Sequence, residues 1–348
     1  MTRLFAFPLR LKAPNGYWDQ LYKAIAADVP SLRMYHADWT RLARSFGERN
    51  IIHIHWPLQL YGSAFSGVAW LRFFIRMSIL LLAQARGDRI VWTLHNFSDH
   101  ERRFPFLDSL AHAVLARFSH AVIVHSPAGR AYLETRWGRR DNVYIIPHGH
   151  YIGFHGPRRE SRDTDLMREL GLRDEDIVFL AIGTLRPYKG LEALMDIFRA
   201  LPKNAKLFIG GSGREDDSYV RQLRGIAPTN TLIRPGLIAD KDIPRFFSLG
   251  IFSLYAFTEI LTSGSLILSL SYGVPVVAPA RGDIPYIVKD DVNGYLYTSA
   301  AQLKEAIERI LHLPSQRLAA FHRAAMESVS NPSYQDIARM TRVAYGIS

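Results

Sequence analysis

Two doubly wound α/β domains, each built on a parallel sheet, are what this sequence predicts, and three observations carry the prediction. Short apolar runs alternate with longer segments of helical periodicity from end to end. The chain has 348 residues, long for a single core, and 48% of them are apolar. A polar, breaker-rich stretch, GPRRESRDTD (Gly156 to Asp165), separates the two series of runs. Residues 1–160 are therefore expected to form one Rossmann-like domain and residues 161–348 a second of similar size. The helical pattern over Ser315 to Ser348 is free to pack on either.

In the first half the strand candidates are LFAFPL (Leu4 to Leu9), LRMYHA (Leu32 to Ala37), IIHIHW (Ile51 to Trp56), IVWTLHN (Ile90 to Asn96), AVIVHS (Ala121 to Ser126) and VYIIPHG (Val143 to Gly149). In the second half they are IVFLAIG (Ile177 to Gly183), AKLFIGGSG (Ala205 to Gly213), NTLIRPG (Asn230 to Gly236), GIFSLYAF (Gly250 to Phe257), VPVVAP (Val274 to Pro279) and NGYLY (Asn293 to Tyr297). Near-continuous apolar runs of this length suit strands buried on both faces of a parallel sheet, with helices filling the gaps. The opening MTRLFAFPLRLKAPNG is interrupted by Arg3, Arg10 and Lys12, so it reads as the first core strand and not as a signal peptide.

There is no cysteine, which excludes disulfides and thiolate metal sites and fits a reducing compartment. The net charge is +11, and residues 1–160 hold 21 Lys and Arg against 11 Asp and Glu, so nearly all of the excess lies in the first half. These cations stand among apolar clusters, as in WLRFFIRMSILLLAQARGDR and HERRFPFL, and not in basic arms. That distribution points to an anionic membrane surface as a partner and away from nucleic acid. Trp70 to Ala85 reads as too short and too charged to span a bilayer. As a helix it would put Arg72, Arg76 and Arg86 on one side, which fits either a core helix with a solvated Arg stripe or a membrane-docking helix.

The stretch most suggestive of chemistry is IVFLAIGTLRPYKG, where an apolar strand runs into a turn bearing Arg186 and Lys189 before the helical pattern Leu191 to Leu201. Ligands of open α/β sheets bind at the carboxyl ends of the strands, and an Arg fork with a Lys point charge suits two linked phosphates. A second element, LTSGSLILSLSYGVPVVAP, puts Thr262, Ser263, Gly264 and Ser265 at a helix start, where free N–H groups attract an anion; ordinary capping accounts for the same residues. Glu259 is placed to accept hydrogen bonds from sugar hydroxyls. Gly211, in the GGSG turn, allows close backbone approach to a ligand.

In the first half several strands end in histidine-bearing turns: His53, His55 and Trp56, then His95 and Asn96, then His125, with His148 and His150 before the linker. With Asn15 they form the candidate acceptor-binding set. No HExxH helix or carboxylate at ligand spacing accompanies them, so no metal or other cofactor is expected, and orientation of sugar hydroxyls explains them better than zinc. The absence of GxSxG, GxxxxGK[ST] and GxGxxG counts against a hydrolase, a P-loop kinase and a dehydrogenase.

In this order the pieces resemble a GT-B glycosyltransferase, two Rossmann-like domains facing a cleft, with the nucleotide sugar on the second and the acceptor on the first. The second half is similar to the family-4 type in GTLRPYKG, GGSG, SYGVPVVAP and NGYLY. Thr184 stands where that type has Arg, Glu259 is out of step by one, and Leu268 replaces the second of its paired Glu residues. The chain also resembles the GumI-type β-mannosyltransferases of xanthan assembly in IHIHWP, WTLHNFSDHE, HGHY, LRPYKG and SGSLILSLS.

The resemblance implies transfer of mannose from GDP-mannose to a polyprenyl-diphosphate-linked oligosaccharide, in exopolysaccharide synthesis, by a cytoplasmic protein held peripherally at the inner membrane. Thr184, Arg186, Lys189, Gly211, Glu259 and Thr262 to Ser265 then become donor-binding residues, with Arg186, Lys189 and the helix start neutralising the departing diphosphate without a metal. If the reaction inverts, Glu101, His95 and Asp99 are the candidate bases. Two other readings stay open: a retaining family-4-like enzyme with another donor such as UDP-glucose, and a non-catalytic basic module binding membrane or nucleic acid.

Overall fold

A computed structural model describes residues 2–7, 16–36, 38–45, 49–99 and 103–347. The chain divides into two compact units, residues 1–149 with 332–348, and residues 150–331. The division falls between Gly149 and His150, so the polar stretch Gly156 to Asp165 lies inside the second unit, while the helix Tyr334–Tyr345 belongs to the first.

The first unit carries β1 (Arg3–Phe7), β2 (Arg33–His36), β3 (Asn50–Ile54), β4 (Arg89–Thr93), β5 (Ala121–Val124) and β6 (Val143–Ile145), all parallel, in the order β2-β1-β3-β4-β5-β6. The order reverses between β1 and β3, which makes their carboxyl ends the switch point of this sheet. Every residue of β3 and β5 is buried, Asn50 and His53 of β3 included, as strands covered on both faces require.

The second unit carries β7 (Ile177–Ile182), β8 (Ala205–Gly211), β9 (Thr231–Pro235), β10 (Gly250–Leu254), β11 (Val276–Pro279) and β12 (Gly294–Tyr297), again parallel, in the order β12-β11-β10-β7-β8-β9. This is the doubly wound dinucleotide-fold order, reversing between its first and fourth strands, β7 and β10. Phe179, Leu207, Phe252 and Val277 face one helical layer with Leu194, Phe198 and Phe321; Val178, Leu180 and Phe208 face the other with Phe246 and Leu249. Each such side chain contributes about 1.5–3 kcal/mol on burial.

All twelve strand candidates form strands, and most of the predicted runs extend past the observed carboxyl ends. The extra residues that the structure describes belong to the crest loops, while Pro8, Leu9 and Ala37 lie outside the described residues. His55, His95, His125 and His148 each follow a strand end, and of the predicted acceptor histidines only His53 lies within one.

The Arg-bearing helix differs from its prediction. It runs Ser66–Ala85, 20 residues, and by length and composition it is the one helix among the described residues long and apolar enough to cross a membrane. Ala69, Phe73, Leu80 and Ala83 are nevertheless buried within the first unit, so one face is committed to the fold. Its arginines are tied to neighbouring backbone: Arg72, still exposed, donates to the Gly62 carbonyl, and half-buried Arg76 donates to Gln59 O at 2.9 Å and lies over the Trp39 ring.

Candidate active site

At the switch point of the second unit, Gly183 leaves β7 with φ 151° and Gly190 ends the following turn with φ 62°. A Cβ on Gly190 would stand 2.1 Å from the Ala256 carbonyl oxygen, and one on Gly211 would stand 2.0 Å from the Gly183 carbonyl oxygen. Glycine at these positions lets the crests of β7, β8 and β10 close on one another.

That closure brings Lys189 to the start of the helix Gly264–Ser271. Its ammonium donates to Ser265 Oγ at 3.1 Å and lies 4.7 Å from the Phe257 ring centre. A Cβ on Gly183 would be 3.1 Å from the same nitrogen, so the strand-end glycine makes the space that the cation occupies. Burial lowers the Lys189 pKa to about 8, and among the described residues no carboxylate forms an ion pair with it. Ser263 caps the helix by accepting from the Leu266 amide at 3.2 Å, and its Oγ is 3.2 Å from Ser265 Oγ. Lys189 lines one small pocket with Gly183, Thr184 and Tyr255 among others, and its desolvated ammonium meets the helix N-terminus through Ser265; cation and helix start both favour an anion beside them. Below it, Tyr255 donates to Ser265 O at 2.6 Å and bonds Ser269 Oγ, which donates to Ser253 Oγ at 2.6 Å.

In the first unit, buried rings form a hydrogen-bonded chain across the crests of β3, β4 and β5. Tyr22 Oη bonds His55 Nε2 at 2.6 Å, His55 Nδ1 bonds His95 Nε2 at 3.0 Å, His95 Nδ1 bonds His125 Nε2 at 3.1 Å, and His125 Nδ1 bonds Ile146 O at 2.9 Å. A carbonyl only accepts, so His125 donates from Nδ1; with the rings neutral, each earlier member must donate in the same direction, and Tyr22 must donate to His55. Burial, reinforced by repulsion from the neighbouring histidines, holds His55 and His95 well below their usual range, which keeps them neutral. Beside this chain, His53 bonds Tyr345 Oη at 2.8 Å and Thr93 Oγ1 at 2.8 Å, and burial lowers its pKa to about 3.

Residues 162–327 match the family described as glycosyl transferases, group 1. This chain is a glycosyltransferase. It is 26% identical over 289 residues, 80% of its own length and 74% of the other, to the GDP-mannose:glycolipid 4-beta-D-mannosyltransferase of Xanthomonas campestris pv. campestris. Among solved structures it is similar to the sucrose-phosphate synthase of Thermosynechococcus elongatus, with a TM-score of 0.74 at 17% identity over 99% of this chain and 98% of that one. It is also similar to the Anabaena protein Alr3699/HepE solved with UDP and glucose, with a TM-score of 0.73 at 19% identity and 99% of both chains covered. These likenesses, with two six-stranded parallel sheets, show the GT-B fold.

Within the transferase, the predicted donor residues separate by their partners. Lys189, Ser263, Gly264 and Ser265 come together, with Thr184 and Gly211 on the adjoining crests. Arg186 has other partners: it donates to Leu185 O at 3.0 Å and stands 3.7 Å from Asp217. Thr262 gives its hydroxyl to buried Asp283, and Glu259 is half-buried in the loop before Ile260.

In the first unit, His53, His55, His95 and His125 join the ring network. Trp56 stacks on His95 at 4.7 Å, and Tyr17 stacks on His148 at 4.2 Å, while Asn96 is half-buried beyond β4. His150 falls in the second unit, where its Nδ1 accepts from the Ile152 amide at 3.2 Å. Of the candidate bases, His95 has both ring nitrogens engaged by other histidines. Asp99 is held by its own amide, which donates to Asp108 Oδ2 at 3.0 Å. Glu101 and Asn15 lie outside the described residues. Sequence reasoning missed Tyr22, Tyr345, Asp108, Tyr255 and Asp283, all buried partners of site residues. Only Tyr22 had a visible signal, a place on the apolar face of the helix Gly16–Asp28.

Proposed function

We propose that this glycosyltransferase moves mannose from GDP-mannose to a polyprenyl-diphosphate-linked oligosaccharide, as a peripheral protein at the cytoplasmic face of the inner membrane, in the assembly of an exopolysaccharide. The observation that carries the donor and acceptor is the similarity, over 80% of the chain, to an enzyme whose name specifies GDP-mannose and a glycolipid.

The donor site supplies the chemistry this reaction needs. As the bond from the sugar to the diphosphate breaks, negative charge grows on the departing oxygen. Lys189 and the start of the helix Gly264–Ser271 are positioned before the reaction to meet that charge, so little reorganisation accompanies it. Desolvation of the ammonium strengthens its attraction to the diphosphate. The histidine chain stiffens the crest of the acceptor-binding half, and Asp99 and Glu101 remain the proposed proton acceptors there.

Transfer from labelled GDP-mannose to an extracted lipid-linked acceptor, with product anomers assigned by NMR, tests the reading. Mannosyl transfer supports it. Stabilisation and turnover with UDP-glucose, and none with GDP-mannose, would overturn the donor assignment while leaving glycosyl transfer intact.

A further inference from the structure

The helix Ser66–Ala85 turns its apolar side outward. Phe65, just before it, is 74% exposed, and Leu71, Phe74 and Leu82 are 60%, 60% and 61% exposed. At about 100° per residue these three helical positions span roughly 80° on the side opposite Ala69, Phe73, Leu80 and Ala83, the buried positions. The neighbouring helix, Pro105–Phe118, continues the surface: Phe106 is 72% exposed and its ring is 6.0 Å from Trp70, while Phe118 is exposed at the other end. Between the two helices an apolar crevice opens, lined by Met77, Leu81, Val114 and Phe118 among others. Scattered exposed apolar residues are ordinary, but a continuous face over two helices is not.

The charges around this face select its occupant. Residues 58–86 contain no Asp or Glu, and the only carboxylate in the helix Pro105–Phe118 is Asp108, which is buried and accepts from Tyr61 at 2.7 Å. Arg72, Arg103 and Arg117 are exposed on or beside the two helices. An apolar stripe with cations and, among the described residues of the two helices, no exposed carboxylate complements an anionic lipid monolayer, where side chains enter the acyl region and guanidinium groups meet lipid phosphates.

We propose that the outer face of the helices Ser66–Ala85 and Pro105–Phe118 is an interfacial seat that lies in the plane of an anionic bilayer, with Leu71, Phe74, Leu82 and Phe106 inserted. A spanning arrangement is excluded by the opposite face of the first helix, which covers the core of the first unit. The inference deepens the peripheral attachment proposed above by naming the surface and the lipid chemistry.

The test is flotation of the full chain with vesicles of phosphatidylcholine alone or with 30% phosphatidylglycerol. Wild-type protein is expected to float with the anionic vesicles, at least tenfold more than with neutral ones. The triple variant Leu71→Glu, Phe74→Glu, Leu82→Glu is expected to lose at least tenfold in binding, while Leu237→Glu, at an exposed position in the second unit, floats as wild type. Circular dichroism and GDP-induced thermal stabilisation, read on the same samples, separate a failed seat from a misfolded chain or a failed donor assignment. Equal flotation of the folded triple variant overturns the proposal. So does a lipid-free dimer that the triple variant dissolves, because a second copy would then be the occupant.

Discussion

The ammonium of Lys189 lies 3.1 Å from Ser265 Oγ, joining the crest of β7 to the helix start that follows β10 across 76 residues of sequence. The contact bridges the two strands between which the sheet order reverses, and it gives the proposed donor site its one desolvated cation among the described residues of that pocket.

Lys189→Ala is expected to lower kcat/KM for sugar transfer by roughly 100-fold to 1000-fold, the range seen when a preorganised charge-stabilising donor is removed. Its melting temperature at pH 7 should not fall, since the variant removes a desolvated charge whose burial costs stability there. Arg186→Ala should have a smaller effect, because Arg186 leans on Asp217 and not on Ser265. Equal losses in the two variants, measured by initial rates, would refute this division of roles.

The Lys189 pKa of about 8 gives donor binding a pH dependence. The charged form attracts the diphosphate, so the affinity of a nucleoside diphosphate should weaken as pH rises through about 8, approaching tenfold per unit above it. The stability of the ligand-free protein runs the other way. The folded pKa is below the unfolded one, the unfolded chain binds more protons between the two, and stability contributed here rises from about pH 8 upward. Calorimetric titration with GDP at pH 7, 8 and 9 tests the first sign and urea melts test the second. Lys189→Ala should flatten both.

His95→Leu should destabilise the first unit by about 1–3 kcal/mol for each of the two ring nitrogens it orphans, on His55 and on His125. A loss below 0.5 kcal/mol in urea denaturation, a threshold set roughly at half the net worth of one hydrogen bond, would mean that the chain is not holding the crest.

Acid should weaken the same unit. His53 and His148 titrate at about 3 in the folded protein, against about 6.5 when exposed, because burial disfavours their charged forms. The stability they contribute is intact above the unfolded value and is lost as pH falls from there toward 3, at about 1.4 kcal/mol per unit for each histidine. Melting curves between pH 7.5 and 4.5 should show this steep decline, and His53→Gln should reduce its slope.

The strands were legible because burial on both faces leaves an apolar run with few interruptions, and all twelve formed. The grouping of the proposed donor residues was legible for a related reason: Gly183, Lys189, Ser263 and Ser265 sit at strand and helix ends, and such ends converge at a switch point. The pairing of Arg186 with Asp217 was not, since that carboxylate comes from another crest. Periodicity grouped Arg72, Arg76 and Arg86 correctly on one side of a helix but could not say that the side would bond neighbouring carbonyls and send the leucines outward. The order of the histidine chain was equally hidden, because it depends on Ile146 and Tyr22, contributed by two distant segments.

The helix Tyr334–Tyr345 sets a timetable for synthesis. It follows the second unit in the chain yet completes the first, with Arg342 on Asp28 at 3.2 Å, Ala344 O accepting from Arg89 at 3.1 Å, and Tyr345 on His53. On the ribosome, residues 150–331 can finish folding while the earlier-made unit still lacks its last helix. The half that emerges first is therefore the half that matures last, and its tyrosine–histidine network closes only when residue 345 is free to dock.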